Sequence, residues 1–238
     1  MLVNRVDLLK FLELLNVTGE VEVKEAVIIG DSKSLKVLAS TLSKVLILNG
    51  EWYGDFSDIG TIGIDDISLF KKIVSTMKNK EILIVKKDNK LVISESDRIT
   101  ASLILRNTEY ILTNISEEIF TRVSNKALGN EFELASDSIK EILSYYTLAN
   151  ANLELNCKDS VLSTKFAKSE NEIQLNFKLS DKVEDFSVKL NNTFIDCLSL
   201  ANDKVTLSTK NSAPIFVKIE SDICKFNYVI NAVTFGNE

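Results

Sequence analysis

The residue types that usually carry catalysis are sparse in this chain. Histidine is absent from all 238 positions. That removes Ser-His-Asp and Cys-His nucleophilic sites, the usual zinc ligand sets and imidazole acid–base chemistry together. Cys157, Cys197 and Cys224 are odd in number, widely spaced and set in apolar runs, the pattern of buried, reduced thiols in a cytosolic protein. Paired carboxylates occur at Asp65-Asp66 and Glu117-Glu118, but the first pair stands where a helix cap is expected and the second in a surface connector. Lysines recur on the polar faces of otherwise apolar helices, the ordinary pattern of a solvated helix face. No catalytic residue, metal or cofactor is expected.

Four helices must position those lysines. From Arg5 to Leu15 the apolar residues Leu8, Leu9, Leu12 and Leu15 share one stripe and leave Lys10 off it. A second helix, capped by Asp65 or Asp66, buries Ile67, Phe70, Val74 and Met77. Its other side carries Ser68, Lys72, Ser75 and Asn79, flanked by Lys71 and Lys78. The third takes Ser136 as N-cap and Asp137 in its first turn, buries Ile139, Ile142, Leu143 and Tyr146, and turns Lys140, Ser144 and Thr147 outward. The fourth, Leu190 to Ala201, sets Phe194, Cys197 and Leu198 against Asn192, Asp196 and Ser199, with Lys189 at its margin.

Each helix is followed by alternating, strand-like sequence. The clearest case is last, where Val205 to Glu220 forms two alternating runs around a polar tip holding Pro214, the only proline, before Asn227 to Ala232 closes the chain. The stretch from Val45 to Gly63 opens like a strand and then becomes glycine-rich. From Arg106 to Gly129 alternation fades, and the segment is expected to lie across the surface as a connector bounding a groove, with two further strands as the alternative. Helices beginning near residues 5, 65, 137 and 190 make the chain a duplicated domain, each copy itself a pair. The expected fold is α+β, each domain packing two helices on antiparallel sheets, with domains at 1–106 and 130–238 and the connector at 107–129.

A net charge of −6 argues against a surface coated in basic residues and leaves room for a local basic face. No apolar run reaches the length of a membrane span, and Asp7, Lys10 and Glu13 break any signal-peptide pattern at the start. A soluble, cytoplasmic protein is expected, in the host cytoplasm if the source is a virus.

This ordered set of units resembles the two-domain DNA polymerase sliding clamps, similar to proliferating cell nuclear antigen and the clamps of T4-like phages. The resemblance is most specific over Val205 to Ala232 and weakest over Val45 to Gly63. It implies a non-enzymatic processivity factor, a homotrimeric ring that encircles duplex DNA, is opened by a clamp loader and tethers the replicative polymerase. Lys10, Lys71, Lys72, Lys78, Lys140 and Lys189 would then face DNA. Subunits would join by pairing Ile99, Ala101, Leu103 and Leu105 of one with Ile173, Leu175, Phe177 and Leu179 of the next. A partner peptide would sit against Ile111, Leu112 and Ile115, Pro214 and Ile215, and Val229, Ile230 and Ala232. Two departures stand out: the fourth helix offers no basic charge, and Val233 replaces the usual proline after the final strand. Two alternatives are a monomeric processivity factor of the same fold, binding DNA through a basic face, and an assembly protein with no DNA role.

Overall fold

A computed structural model describes residues 1–19, 21–96, 99–149, 152–168, 171–201 and 203–232. Their contacts divide into two compact units, Met1–Glu117 with Ser221–Phe226, and Glu118–Glu220 with the residues from Asn227 onward. Arg98 and Val233 lie outside the described residues.

In the first unit, β1 (Leu2–Asn4) leads into α1 (Arg5–Leu15). The Asn4 side chain caps α1 by accepting from the Val6 N–H at 2.9 Å. Four strands follow, β2 (Ala26–Gly30), β3 (Ser34–Ser40), β4 (Leu46–Tyr53) and β5 (Thr61–Ile64), hydrogen-bonded in the order β5-β2-β3-β4. Asp66, rather than Asp65, caps α2 (Ile67–Thr76), accepting from the Leu69 N–H at 2.7 Å. Three more strands, β6 (Glu81–Lys87), β7 (Lys90–Ser96) and β8 (Ile99–Ile104), complete an antiparallel sheet in the order β1-β6-β7-β8.

The core of this unit is aromatic. Phe11 of α1 is fully buried, its ring centroid 5.8 Å from that of Trp52 and 5.3 Å from that of Phe226, and Trp52 in turn lies 4.8 Å from Phe56. Tilted pairs at these separations add to the gain from burial alone. The segment around Phe226 is far away in sequence, yet the Tyr53 N–H donates to the Ile223 carbonyl at 3.0 Å. A glycine at position 50 makes room for it: a Cβ there would lie 2.3 Å from the Phe226 ring.

In the second unit, α3 (Glu117–Ala127) precedes β9 (Asn130–Leu134) and α4 (Ser136–Ala149). Next come β10 (Asn152–Lys158), β11 (Val161–Lys168), β12 (Asn171–Lys178) and β13 (Phe186–Leu190), ordered β12-β11-β10-β13. Asp159 and Ser160, at φ 51° and 59°, form the two-residue loop between β10 and β11, positive φ at both central positions matching the twist of a tight hairpin. After α5 (Asn192–Ser199), β14 (Val205–Thr209), β15 (Ile215–Glu220) and β16 (Cys224–Ile230) extend from β9 in the order β16-β15-β14-β9. Of β16, Cys224 to Phe226 belong to the first unit and the remainder to the second.

The structure corrects several expectations. Residues 107–129 do not form the two further strands weighed as the alternative: a 3₁₀ turn at Thr108–Tyr110 leads to the eleven-residue helix α3. Phe120, Ser124 and Ala127 make its buried stripe, and Glu117-Glu118 fall in its first turn, where a helix N-terminus favours acidic charge. Ser136 is the first residue of α4 rather than its cap, because the Ile139 N–H donates to the Ala135 carbonyl. The fourth helix begins at Asn192, and Leu190 and Lys189 lie on β13.

Candidate nucleic-acid and partner surfaces

Within the first unit α1 packs on α2, and within the second α4 packs on α5. Most of the foreseen apolar stripes face inward: Leu8, Leu12 and Leu15, then Ile67, Phe70, Val74 and Met77, then Ile139 and Ile142, then Phe194, Cys197 and Leu198 are buried, whereas Leu9, Leu143 and Tyr146 are only half-buried. Lys72, Lys78, Lys140 and Lys189 are exposed, while Lys10 and Lys71 are half-buried. Lys140 is 3.5 Å from Asp137 one turn earlier, and Lys189 sits opposite Glu154 in the β10–β13 register. Helix α5 carries no basic residue. Positive charge is therefore concentrated at the C-terminal end of α2.

That end is built by long-range pairing. The Arg5 N–H donates to the Lys80 carbonyl at 2.8 Å, and Arg5 Nε donates to the Asn79 carbonyl at 3.2 Å. Arg5 thereby meets the segment Lys78-Asn79-Lys80 that follows α2. The Glu95 carboxylate accepts from the Asn79 and Lys78 backbone amides. Those hydrogen bonds, with the Lys78 and Arg5 charges, hold its carboxyl below the ordinary glutamate value of 4.5. A carboxylate whose pKa is lowered by folding adds stability that is complete above the unfolded value and lost as pH falls through the folded one. The Glu95 contribution to this turn is therefore complete at neutral pH and falls away in acid.

The strands foreseen at the subunit interface both lie at sheet edges. β8 ends one sheet and β12 another. Leu103 is buried at 3% exposure and Leu175 at 9%, inside their own unit, whereas Ile99 and Ile104 of β8 are 47% and 64% exposed. Ala101, Ile173 and Phe177 are half-buried. Leu105 and Leu179 each fall one residue beyond their strand. A long edge displaying isoleucine is what a lone soluble sheet avoids.

The residues foreseen for a partner peptide divide by exposure. Ile111, Ile115, Ile215, Val229 and Ile230 are core, each at 8% exposure or less. Leu112 is 74% exposed, and Pro214 and Ala232 are half-buried. Glu25 fixes the segment carrying Leu112. Its Oε1 accepts from the Leu112 and Thr113 amides at 2.7 and 3.2 Å, and its carbonyl from the Thr113 hydroxyl at 2.7 Å. Arg106 lies 3.7 Å from its Oε2. Hydrogen bonds to a charged acceptor are worth about 1.5–3 kcal/mol each. Replacing Glu25 with alanine is expected to speed hydrogen exchange at the Leu112 and Thr113 amides by roughly tenfold or more, and unchanged rates would show that this latch holds nothing.

Among the described residues no group of histidine, cysteine and carboxylate side chains could hold a metal ion, and no helix is long and apolar enough to cross a membrane. All three cysteines are buried, and burial raises each thiol's pKa, most strongly that of Cys197.

No family model matches the sequence, and no curated protein matches it. Solved structures do. The proliferating cell nuclear antigen of Entamoeba histolytica superposes with a TM-score of 0.75 at 15% identity, covering 97% of this chain and 96% of that one. The A. fulgidus antigen, solved with the C-terminal region of FEN-1 bound, gives 0.79 at 14% identity over 99% and 98%. The chain has the sliding-clamp fold. The DNA polymerase III β chain of Streptococcus pneumoniae TIGR4 gives 0.75 at 16% identity, covering 99% of this chain and 64% of that one.

Against the clamp fold, sequence reasoning missed Arg5, Lys80 and Glu25. Arg5 and Lys80 meet because β1 pairs with β6, and three residues are too few to show alternation. Glu25 reveals its role only through partners more than 80 residues away. Helix α3 did leave a signal, acidic at its start with Lys126 in its last turn.

Proposed function

We propose that the chain is a sliding clamp, a non-enzymatic processivity factor of which three copies close into a ring around duplex DNA and tether a replicative polymerase to it. The observation that carries this reading is a clamp fold spanning 97–99% of the chain, together with sheets that end in the edge strands β8 and β12. In the ring, β8 of one copy pairs with β12 of the next, which removes both edges. The polar helix faces line the hole, where Lys10, Lys71, Lys72, Lys78, Lys140 and Lys189, with Arg5 and Lys80, meet phosphates without reading sequence. A clamp loader opens the ring, and partner proteins dock near Leu112, Pro214 and Ala232.

A ring enters duplex DNA only through an end or an opened interface, so retention on linear duplexes tests the proposal without a loader. Binding is expected on duplex with a free end and not on the same duplex with both ends blocked by bulky protein. Equal retention on both would mean side-on binding through a basic face and would remove the ring. On open-ended duplex, Lys72→Glu with Lys78→Glu is expected to weaken binding. It should also reduce the slope of log affinity against log salt by roughly two, about one for each phosphate that is no longer neutralised. An unchanged slope would take these lysines off the DNA.

A further inference from the structure

The turn between β6 and β7 carries positive charge that the proposed ring does not use. It reads Lys86-Lys87-Asp88-Asn89-Lys90, three lysines against one aspartate in a chain of net charge −6. All three lysines are exposed. The seven residues of β6, at about 3.3 Å each, put this turn roughly 20 Å from the basic turn that follows α2. The two clusters are therefore separate.

Taken alone, the arrangement works against the fold. Lys87 and Lys90 stand directly opposite each other in the β6–β7 register, and like charges so placed repel and cost stability. Lys90 also has Ile104 of β8 on its other side, so it is not there to blunt a free edge. An anion lying against both ammonium groups relieves the repulsion. The turn is also held in place: the Leu105 N–H donates to the Asn89 carbonyl at 2.7 Å, and Lys86 Nζ donates to the Thr61 carbonyl at 2.9 Å. From Leu105 the chain runs through Arg106, whose N–H donates to the Gly63 carbonyl at 2.9 Å and whose guanidinium is 3.7 Å from Glu25. It then enters the 3₁₀ turn that ends at Tyr110, at most about 18 Å of chain beyond Leu105. Tyr110 is 62% exposed, so a fixed pair of lysines and a solvent-facing ring share one neighbourhood of the first unit.

We propose that the β6–β7 turn and Tyr110 form a binding site for single-stranded nucleic acid, with Lys87 and Lys90 against neighbouring phosphates and a base stacked on the Tyr110 ring. Basic surface interleaved with exposed aromatic rings is how proteins hold single strands without reading their sequence. The ring decides between occupants: an acidic peptide satisfies the lysines and leaves Tyr110 unused, and a duplex keeps its bases inside its own stack. Asp88 and Glu109, both exposed beside the site, make the expected binding weak and strongly dependent on salt. Every residue of the site belongs to the first unit, so it needs no ring and stands or falls separately from it.

The test uses the full-length protein and a fluorescent circular oligothymidylate, which has no end for a ring to thread and forms no base pairs. Saturable binding by anisotropy is expected. Tyr110→Ala should weaken it roughly fivefold or more while leaving its salt dependence unchanged. Lys87→Gln with Lys90→Gln should weaken it and lower the slope of log affinity against log salt by about 1.4, roughly 0.7 for each phosphate no longer met. Lys72→Gln with Lys78→Gln should bind the circle within about twofold of wild type at 0.1 M salt, because the two clusters lie further apart than a Debye length. No binding, or binding that survives either the Tyr110 or the Lys87 and Lys90 change, would overturn the proposal. So would displacement by a hexaglutamate peptide as effective as by unlabelled oligothymidylate, which would assign the lysines to an acidic partner. A fall in the solution mass of the Lys87 and Lys90 variant would overturn it too, by assigning them to a contact between copies.

Discussion

Phe226→Ala is expected to lower the stability of the protein by about 3–5 kcal/mol, read as a fall in the urea midpoint, because truncating a fully buried phenylalanine leaves a cavity as well as losing burial. That is a large part of the 5–15 kcal/mol typical of a folded protein. The residue is 0% exposed and lies among Phe11, Gly50 and β4, in a unit otherwise built from the first 117 residues. The same packing can be probed from the other side. Gly50→Ala puts a Cβ into the Phe226 ring and should cost about 1–3 kcal/mol, and much of that cost should vanish when Phe226 is also shortened to leucine. Additive effects of the two changes would mean that the C-terminal segment does not pack against β4 as described.

If copies join through β8 as proposed, Ile104→Asp is expected to leave only single chains while keeping the fold intact. At 64% exposure on the edge strand β8, aspartate costs the isolated chain little. Once β8 pairs with another subunit, the carboxylate is carried into an interface without a partner, at a cost of several kcal/mol. A loss of about 3 kcal/mol at each interface weakens it roughly 150-fold, enough to dissociate a ring at micromolar concentration. The buried Leu103 and Leu175 are poor places for this test, since a charge there would damage their own unit first. An unchanged circular dichroism spectrum with a single-chain mass is the expected pair of results. A variant that keeps the wild-type mass would take β8 out of the interface.

How much of this was legible in the sequence follows from the range of the interactions concerned. Helices α1, α2 and α4 announce themselves because their stripes, such as Ile67, Phe70, Val74 and Met77, need only local spacing. The strands β14 to β16 alternate cleanly for the same reason. The short strands β1 and β5 exist through distant partners, Leu2 opposite Leu83 in the first case and Ile64 opposite Ala26 of β2 in the second, so nothing local marks them. Trp52 could be given no role until Phe11 and Phe56 were seen beside it. The candidate surfaces divide in the same way. Lysines on helix faces were foreseen, whereas the basic turn of Arg5, Lys78 and Lys80 depends on β1 pairing with β6. Burial was the hardest property to foresee. Ile111, Ile115, Val229 and Ile230 were placed in a partner groove by the family resemblance, and in the structure they are buried at 8% exposure or less.

The central claim is a closed ring, and its most direct test is the molar mass in solution by light scattering over a dilution series. The chain mass is 26.6 kDa, so three copies give about 80 kDa, a value that should hold across concentration until the interfaces dissociate. A strict single-chain mass at every concentration would contradict the ring and leave a clamp fold that must hold DNA by charge alone.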